Sequence, residues 1–197
     1  MKQVIYLIRH AEPNYNNHND FDRELTSKGL QDCQLITDFF KDISIDTIYS
    51  SPFKRAVQTI TPLAKAKDLP IQLQSDFRER KIDDTWIDDF NAFTIKQWED
   101  FNYKLAQGES LQEVQDRVIK QLKQVLSTEQ QTIVISSHGT AISTLIQYYD
   151  KSFGLADFQA IKRLMPFVAS LTVDQQRLMS LEIINPFTNT LIYQKRS

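Results

Sequence analysis

A chain of 197 residues can bury about 70% of the surface it exposes when unfolded, so it needs no disulfide or structural metal to hold its core. Its 23 Lys and Arg against 25 Asp and Glu leave a formal charge of -2, which argues against a general nucleic-acid binder but leaves room for a local anion site. The single Cys33 excludes an internal disulfide or multi-cysteine metal site, and the three histidines, His10, His18 and His138, are few for a transition-metal centre.

The first predicted element is the apolar run Val4-Ile5-Tyr6-Leu7-Ile8, which reads as a strand buried on both faces, the pattern of a parallel sheet. Arg9 and His10 end that run too early for a signal peptide, and no stretch approaches ~18 apolar residues. The expectation is a cytoplasmic protein that does not enter a membrane. Residues 11–26 read as a polar loop. Ser27 is placed as the cap of a helix running to about Lys41, with Leu30, Cys33, Leu35, Ile36, Phe39 and Phe40 at helical spacing. A strand over Ile45–Tyr49, a helix from about Phe53 to Lys67 and a strand over Ile71–Leu73 complete a βαβαβ alternation.

Residues 76–108 break that rhythm. They are rich in acids and aromatics and read as an excursion from the sheet, with one helix over about Thr94–Ala106. Ser110 and Glu113 form a capping-box pattern before a helix to about Leu126. Thr132–Ser136 is the cleanest buried strand, and a helix beginning at Ser137-His138-Gly139 runs to about Tyr149. Ala169–Val173 and Leu178–Ile184 read as an antiparallel pair, with Leu191–Tyr193 as an edge strand. No repeat or linker is visible. The whole chain, 1–197, is therefore expected to form one domain: a three-layer α/β/α sandwich around a mostly parallel sheet, with a small insertion over the active site. Only four glycines are present, so each is expected to have a positional reason.

Two of the three histidines follow strands. His10 ends the first and His138 the strand at 132–136, and ligands of open parallel sheets bind outside the carboxyl ends of strands. Arg9 lies beside His10, and Arg55 falls in the first turn of the helix after Ser50-Ser51-Pro52. Two arginines and two histidines at one strand edge would make a phosphate-sized positive pocket. Taken singly, these residues have plainer readings: a solvated charge pair at Arg9-His10, a simple helix start at Ser137-His138-Gly139, and a surface ion pair at Arg55. His18 reads as solvated and Cys33 as core packing.

The order of the motifs carries more than any one of them. Leu7-Ile8-Arg9-His10-Ala11-Glu12 resembles the Arg-His-Gly-Glu signature of the histidine phosphatase superfamily, in its phosphoglycerate mutase-like branch. Leu25-Thr26-Ser27-Lys28-Gly29 is similar to the next block of that family. Ser51-Pro52-Phe53-Lys54-Arg55-Ala56-Val57-Gln58-Thr59 resembles its Ser-Pro-x-x-Arg-Ala-x-Gln-Thr block. Phe77-Arg78-Glu79, Gly108-Glu109-Ser110 and Ser136-Ser137-His138-Gly139 follow in family order.

The resemblance implies His10 as the nucleophile and Glu79 as general acid and base, with Asp83 and Asp84 as rivals for the second role. It implies Arg9, Arg55, His138 and Asn16 as phosphate ligands. It further implies a phosphomonoester phosphatase with no metal or other cofactor, acting on a small molecule and not on nucleic acid or membrane. Trp86 and Phe90 are candidates to touch the organic part of the substrate. Ala11 stands where the family has Gly and is expected to narrow the pocket floor; Pro13 stands where a hydroxyl residue is common. Residues 81–93 are acidic and aromatic, unlike the basic segment of the glycolytic mutases, so hydrolysis is favoured over mutase-type transfer. Two further readings stay open: a non-catalytic phospho-ligand module on the same fold, and a metal-dependent hydrolase built on His10, His138 and nearby acids.

Overall fold

A computed structural model of the chain describes residues 1–85, 87–175 and 177–195. Among the described residues the elements run β1 (Lys2–Arg9), α1 (Ser27–Phe39), β2 (Thr47–Ser50), α2 (Lys54–Lys67), β3 (Ile71–Leu73), a short 3-10 turn (Ser75–Phe77), α3 (Phe90–Glu99), α4 (Leu111–Leu126), β4 (Thr132–Ser137), α5 (Gly139–Tyr149), α6 (Leu155–Ile161), β5 (Phe167–Asp174), β6 (Arg177–Asn185) and β7 (Thr190–Lys195). The strands form one 7-stranded sheet in the order β3-β2-β4-β1-β5-β6-β7. β3, β2, β4 and β1 are mutually parallel, and β5, β6 and β7 continue as antiparallel neighbours.

The alternation of side chains along each strand builds the three layers. Ile5 and Leu7 of β1 and Ile133 and Ile135 of β4 pack with α4 and α5 on one face. Ile8 and Val134, from the same two strands, pack with Ile36 and Phe40 and with Ile60 and Leu63 of α2 on the other. Both faces of β1 and β4 are thus apolar, which is why those strands read as unbroken hydrophobic runs. In β5, Ala169, Leu171 and Val173 enter the first core while Ser170 and Thr172 on the other face are half-buried. Beyond Val168, which still packs into the second core, the antiparallel half of the sheet is less deeply buried on that other face. No helix among the described residues is long and apolar enough to cross a membrane.

Several expected boundaries move. Thr26, not Ser27, caps α1, its side chain accepting from the Gly29 N–H. α3 spans Phe90–Glu99 instead of Thr94–Ala106, because Asp89 caps it at the Ala92 N–H and the chain leaves helical geometry at Asp100. The second strand begins at Thr47, two residues later than expected. α6 is an addition that its seven residues were too short to announce by periodicity. The capping box of α4 is present, with Ser110 Oγ accepting from the Glu113 N–H and Glu113 accepting from the Ser110 N–H.

The expectation for glycine holds only in part. A Cβ on Gly108 would lie 2.0 Å from the Ile82 carbonyl oxygen, so glycine lets the two ends of the 76–108 excursion close together. A Cβ on Gly154 would meet nothing nearer than the Ser152 carbonyl oxygen at 3.9 Å, so nothing in the structure demands glycine there.

Candidate active site

The parallel register brings the candidate residues to one edge. Arg9 pairs with Ser137 and Ser50 with Ser136, so β1, β4 and β2 end side by side. The His10 N–H still donates to the Ser137 carbonyl at 3.1 Å, and the Ser51 N–H to the Ser136 carbonyl at 2.9 Å. These bonds carry the ladder one step past the strands and place the rings of His10 and His138 5.2 Å apart, edge to face. Both residues are almost fully buried.

Their hydrogen bonds differ, and the one made by His10 fixes its proton. His10 Nδ1 lies 2.7 Å from the Ala11 carbonyl oxygen, which can only accept. Nδ1 therefore carries the hydrogen and Nε2 the lone pair. His138 Nε2 lies 2.8 Å from Ser51 Oγ. That hydroxyl accepts from the Phe53 N–H at 3.3 Å and keeps a second lone pair and its own proton, so it can receive from Nε2 or donate to it. When it donates, the hydrogen of His138 is on Nδ1, which is buried with no protein partner. One imidazole offers a lone pair at Nε2, and its neighbour a buried, unpartnered Nδ1.

Burial, then the charges of Arg55 and Arg9, hold the His10 pKa well below the usual imidazole range, the bond to Ala11 opposing them only in part. Burial, then Arg55, does the same for His138. Both rings therefore stay neutral at pH values where unfolded imidazoles, with a pKa near 6.5, take up protons. The unfolded chain then binds more protons than the folded one, so stability should fall as the pH drops below 6.5 toward the depressed folded values. Each ring contributes about 1.4 kcal/mol per pH unit across that window. Urea melts between pH 7.5 and 5.5 test this: the slope should be about half as steep in His138→Gln, and a chain that gains stability on acidification would refute it.

The arginines hold their places by contacts of very different kinds. Arg9 Nη1 donates to the carbonyls of Ile161, Lys162 and Leu164 at 3.1, 2.8 and 3.2 Å, at the end of α6, while its buried Nε has no partner. The guanidinium lies against the first residue of α5, where a Cβ on Gly139 would come within 3.0 Å of Arg9 Cζ and Nε. Bare backbone at that position lets the charge sit under the helix start. Arg55 is 3% exposed, and both of its terminal nitrogens are engaged by Asp20. Burial lowers the pKa of both arginines. An unpaired donor in the interior costs about 1–3 kcal/mol, so Arg9 Nε favours an acceptor.

Glu79 reaches the same edge from the excursion. Its Oε2 accepts from the Thr140 N–H at 3.1 Å in the first turn of α5, and its Oε1 from the Arg80 N–H at 2.9 Å. The segment that carries it is fixed by Arg117, which donates to the carbonyls of Asp76, Arg78 and Glu79 and pairs with Glu109 at 2.8 Å. Burial alone would raise the Glu109 pKa, but the Arg117 hydrogen bonds and charge outweigh it and hold it low. Asp83 and Asp84 do not share this placement. Asp83 accepts from the Asp84 N–H, and Asp84 pairs with Lys81.

The remaining candidates fall outside the cluster or change meaning. Asn16 lies exposed on the loop between β1 and α1, its N–H donating to Asn14. Phe90 opens α3, half exposed, with its ring 5.3 Å from the Arg80 guanidinium, and so is placed as packing for Arg80. Trp86 lies outside the described residues. The Ala11 methyl does not narrow a pocket floor: Ala11 is fully buried with Leu25 and Cys33, and its N–H donates to Thr59 Oγ1. His18 is exposed on the same loop as Asn16. Cys33 is core, with burial raising its pKa to about 11.

Sequence reasoning passed over Ser51, Asp20, Arg80 and Arg117. Ser51 stood in a quoted motif but shows its use only once β2 and β4 are paired. Arg80 is 3% exposed, bonded to Gln97 and Thr94 between the rings of Phe90 and Phe93, and nothing in the sequence marks an arginine as buried. Among the described residues, no three His, Cys, Asp or Glu side chains come together as a metal site.

Known proteins resemble the chain over most of its length. The family model described as histidine phosphatase superfamily (branch 1) matches residues 5–180. An uncharacterized phosphatase, PhoE, of Bacillus subtilis is 30% identical over 148 residues, covering 73% of this chain and 75% of its own. Phosphoserine phosphatase 1 of Hydrogenobacter thermophilus is 28% identical over 150 residues, covering 68% and 70%. Among solved structures, mycobacterial glucosyl-3-phosphoglycerate phosphatase in complex with VO3 superposes with a TM-score of 0.76 at 20% identity, over 93% of this chain and 98% of that one; at that identity the likeness speaks to the fold.

Proposed function

The chain belongs to branch 1 of the histidine phosphatase superfamily, and from that membership we propose that it hydrolyses small phosphomonoesters without a metal, through a phosphohistidine on His10. The observation that carries this reading is the bond from His10 Nδ1 to the Ala11 carbonyl, beside a His138 whose buried Nδ1 has no protein partner. His10 holds a lone pair at Nε2, as a nucleophile must, and His138, with Ser51 donating to its Nε2, would turn an N–H toward an anion.

In the first step His10 Nε2 attacks phosphorus in line with the ester oxygen, and the P–O bond breaks. Arg9, Arg55 and His138 hold the equatorial oxygens, where charge is spread in the transition state. Asn16 is a further candidate ligand from the loop. Glu79 delivers its proton to the departing alkoxide. In the second step water attacks the phosphohistidine, Glu79 takes a proton from it, and the P–N bond breaks to release phosphate and neutral His10. The burial that depresses the His10 pKa keeps the attacking ring neutral.

The names of the relatives support a small phosphomonoester as substrate. A mutase would have to retain a polyanion and return the phosphoryl group. Asp83, Asp84, Asp88 and Asp89 in the segment 81–93 argue for hydrolysis of a substrate with a neutral or apolar body instead. Phosphate release from p-nitrophenyl phosphate tests the reading. Full activity is expected after exhaustive dialysis against EDTA, whereas activity lost to EDTA and restored by Zn2+ or Mg2+ would mean that a metal supplies the nucleophile.

A further inference from the structure

We propose that Asp20 is a built-in competitor for the phosphate site, a carboxylate that occupies Arg55 and weakens the binding of phosphate there. The inference rests on the reading of Arg55 as a phosphate ligand.

One residue takes up the whole outer end of Arg55. Nη1 donates to the Asp20 carbonyl oxygen, and Nη2 lies 3.1 Å from Asp20 Oδ1. The same Oδ1 accepts from Arg23 Nη1, also at 3.1 Å. A single carboxylate thus offsets two arginine charges, on the guanidinium that a phosphate dianion would need. The two partners are unequal. Arg55 is 3% exposed, whereas the Asp20 side chain is 47% exposed. Asp20 can return to water at small cost, while Arg55, held inside, needs an anion in either state.

The segment that presents Asp20 is stitched into a unit. Pro13 bridges Leu25, and the Asn14 N–H donates to the Glu24 carbonyl at 2.8 Å. The Glu24 carboxylate accepts from Asn14 and Asn17, bonds that lower its pKa to about 2. Arg23 Nε donates to the Asn17 carbonyl at 2.7 Å. At the tip, Asn19 Oδ1 accepts from the N–H groups of Phe21 and Asp22. The tip docks through two residues: Asp20 on Arg55, and Phe21, whose ring lies 5.6 Å from that of Phe53, itself 5.2 Å from His138.

An anion that takes Arg55 must displace Asp20, and its apparent affinity falls by the cost of that exchange. Every phosphate ligand bears this cost, and removing the Asp20 charge lifts it.

Calorimetric titration with inorganic phosphate, paired with orthovanadate inhibition of p-nitrophenyl phosphate hydrolysis, tests the proposal on wild type, Asp20→Asn, Asp20→Ala and Asp22→Asn. Removing the Asp20 charge should tighten phosphate and vanadate binding about fivefold. Asp22→Asn, whose carboxylate reaches Asn19 instead of Arg55, should match wild type. Equal or weaker binding in both Asp20 variants, with wild type binding phosphate, would overturn the competitor role and leave the phosphate site standing. No phosphate binding by wild type or variants would overturn the site and the competitor together.

Discussion

His10→Ala is expected to abolish phosphoenzyme formation, whereas His138→Ala should slow it by about 10²–10³-fold. The two residues are near neighbours, both buried and both depressed in pKa, so neither burial nor charge distinguishes them. Their hydrogen bonds do. The Ala11 carbonyl can hold only an N–H, which commits the Nδ1 of His10 and leaves its Nε2 with a free lone pair. The Nε2 of His138 is engaged by Ser51 Oγ and is not free in the same way. Losing His10 removes the atom that bonds to phosphorus, and no neighbouring ligand replaces it. Losing His138 removes one donor to the transition state, worth roughly 2.7–4 kcal/mol. Phosphohistidine is acid-labile, so the measurement is a rapid quench into base with labelled substrate. Label on His138, or a normal burst in His10→Ala, would mean that the two roles are reversed. Ser51→Ala sharpens the comparison. It frees the Nε2 of His138 and lets the ring change tautomer, so it should cost less than His138→Ala but act on the same step.

The parts of this site that could be read from the sequence are those that one strand carries by itself. Val4–Ile8 and Thr132–Ser136 lack alternation because both faces are covered, and a histidine stands two residues past the end of each run. Nothing in either run says that β4 lies next to β1. That adjacency comes from the chain passing from β1 out to β2 and β3 and returning as β4 between β2 and β1. The contacts that hold the charges were hidden for a related reason. Arg9 is anchored by carbonyls about 150 residues away at the end of α6, a helix whose seven residues give too little periodicity to recognise. α3 was displaced because Phe90, Phe93, Trp98 and Phe101 fit more than one helical register. The cap at Asp89 and the burial of Arg80 against Thr94 and Gln97 select among them, and both depend on tertiary contacts. Asp20 lay in a loop of Asn and Asp residues, where a carboxylate reads as solvated until Arg55 is seen beneath it.

Replacing Glu79 by Gln should cost about 10²–10⁴-fold in kcat/KM for alkyl phosphates, and almost nothing for p-nitrophenyl phosphate. The difference comes from the leaving group. An alkoxide is too basic to depart without a proton, so the loss of the proton donor falls on the first step. p-Nitrophenolate is stable as an anion and leaves unaided. The substitution is mild on the fold: glutamine keeps the length of the side chain and one oxygen, which can still accept from the Thr140 N–H or the Arg80 N–H, though not from both through two oxygens. The scaffold behind it, Arg117 bonded to the carbonyls of Asp76, Arg78 and Glu79, uses backbone oxygens that the substitution does not touch. A series of esters of graded leaving-group basicity separates a proton donor from a positioning group. For a proton donor, the plot of log kcat/KM against leaving-group pKa steepens in the variant, and the two lines converge at the most acidic leaving groups. A loss equal across the series would instead assign Glu79 to holding the start of α5 in place. No loss anywhere would hand the role to Asp83 or Asp84, whose carboxylates would then have to leave their present bonds to the Asp84 N–H and to Lys81.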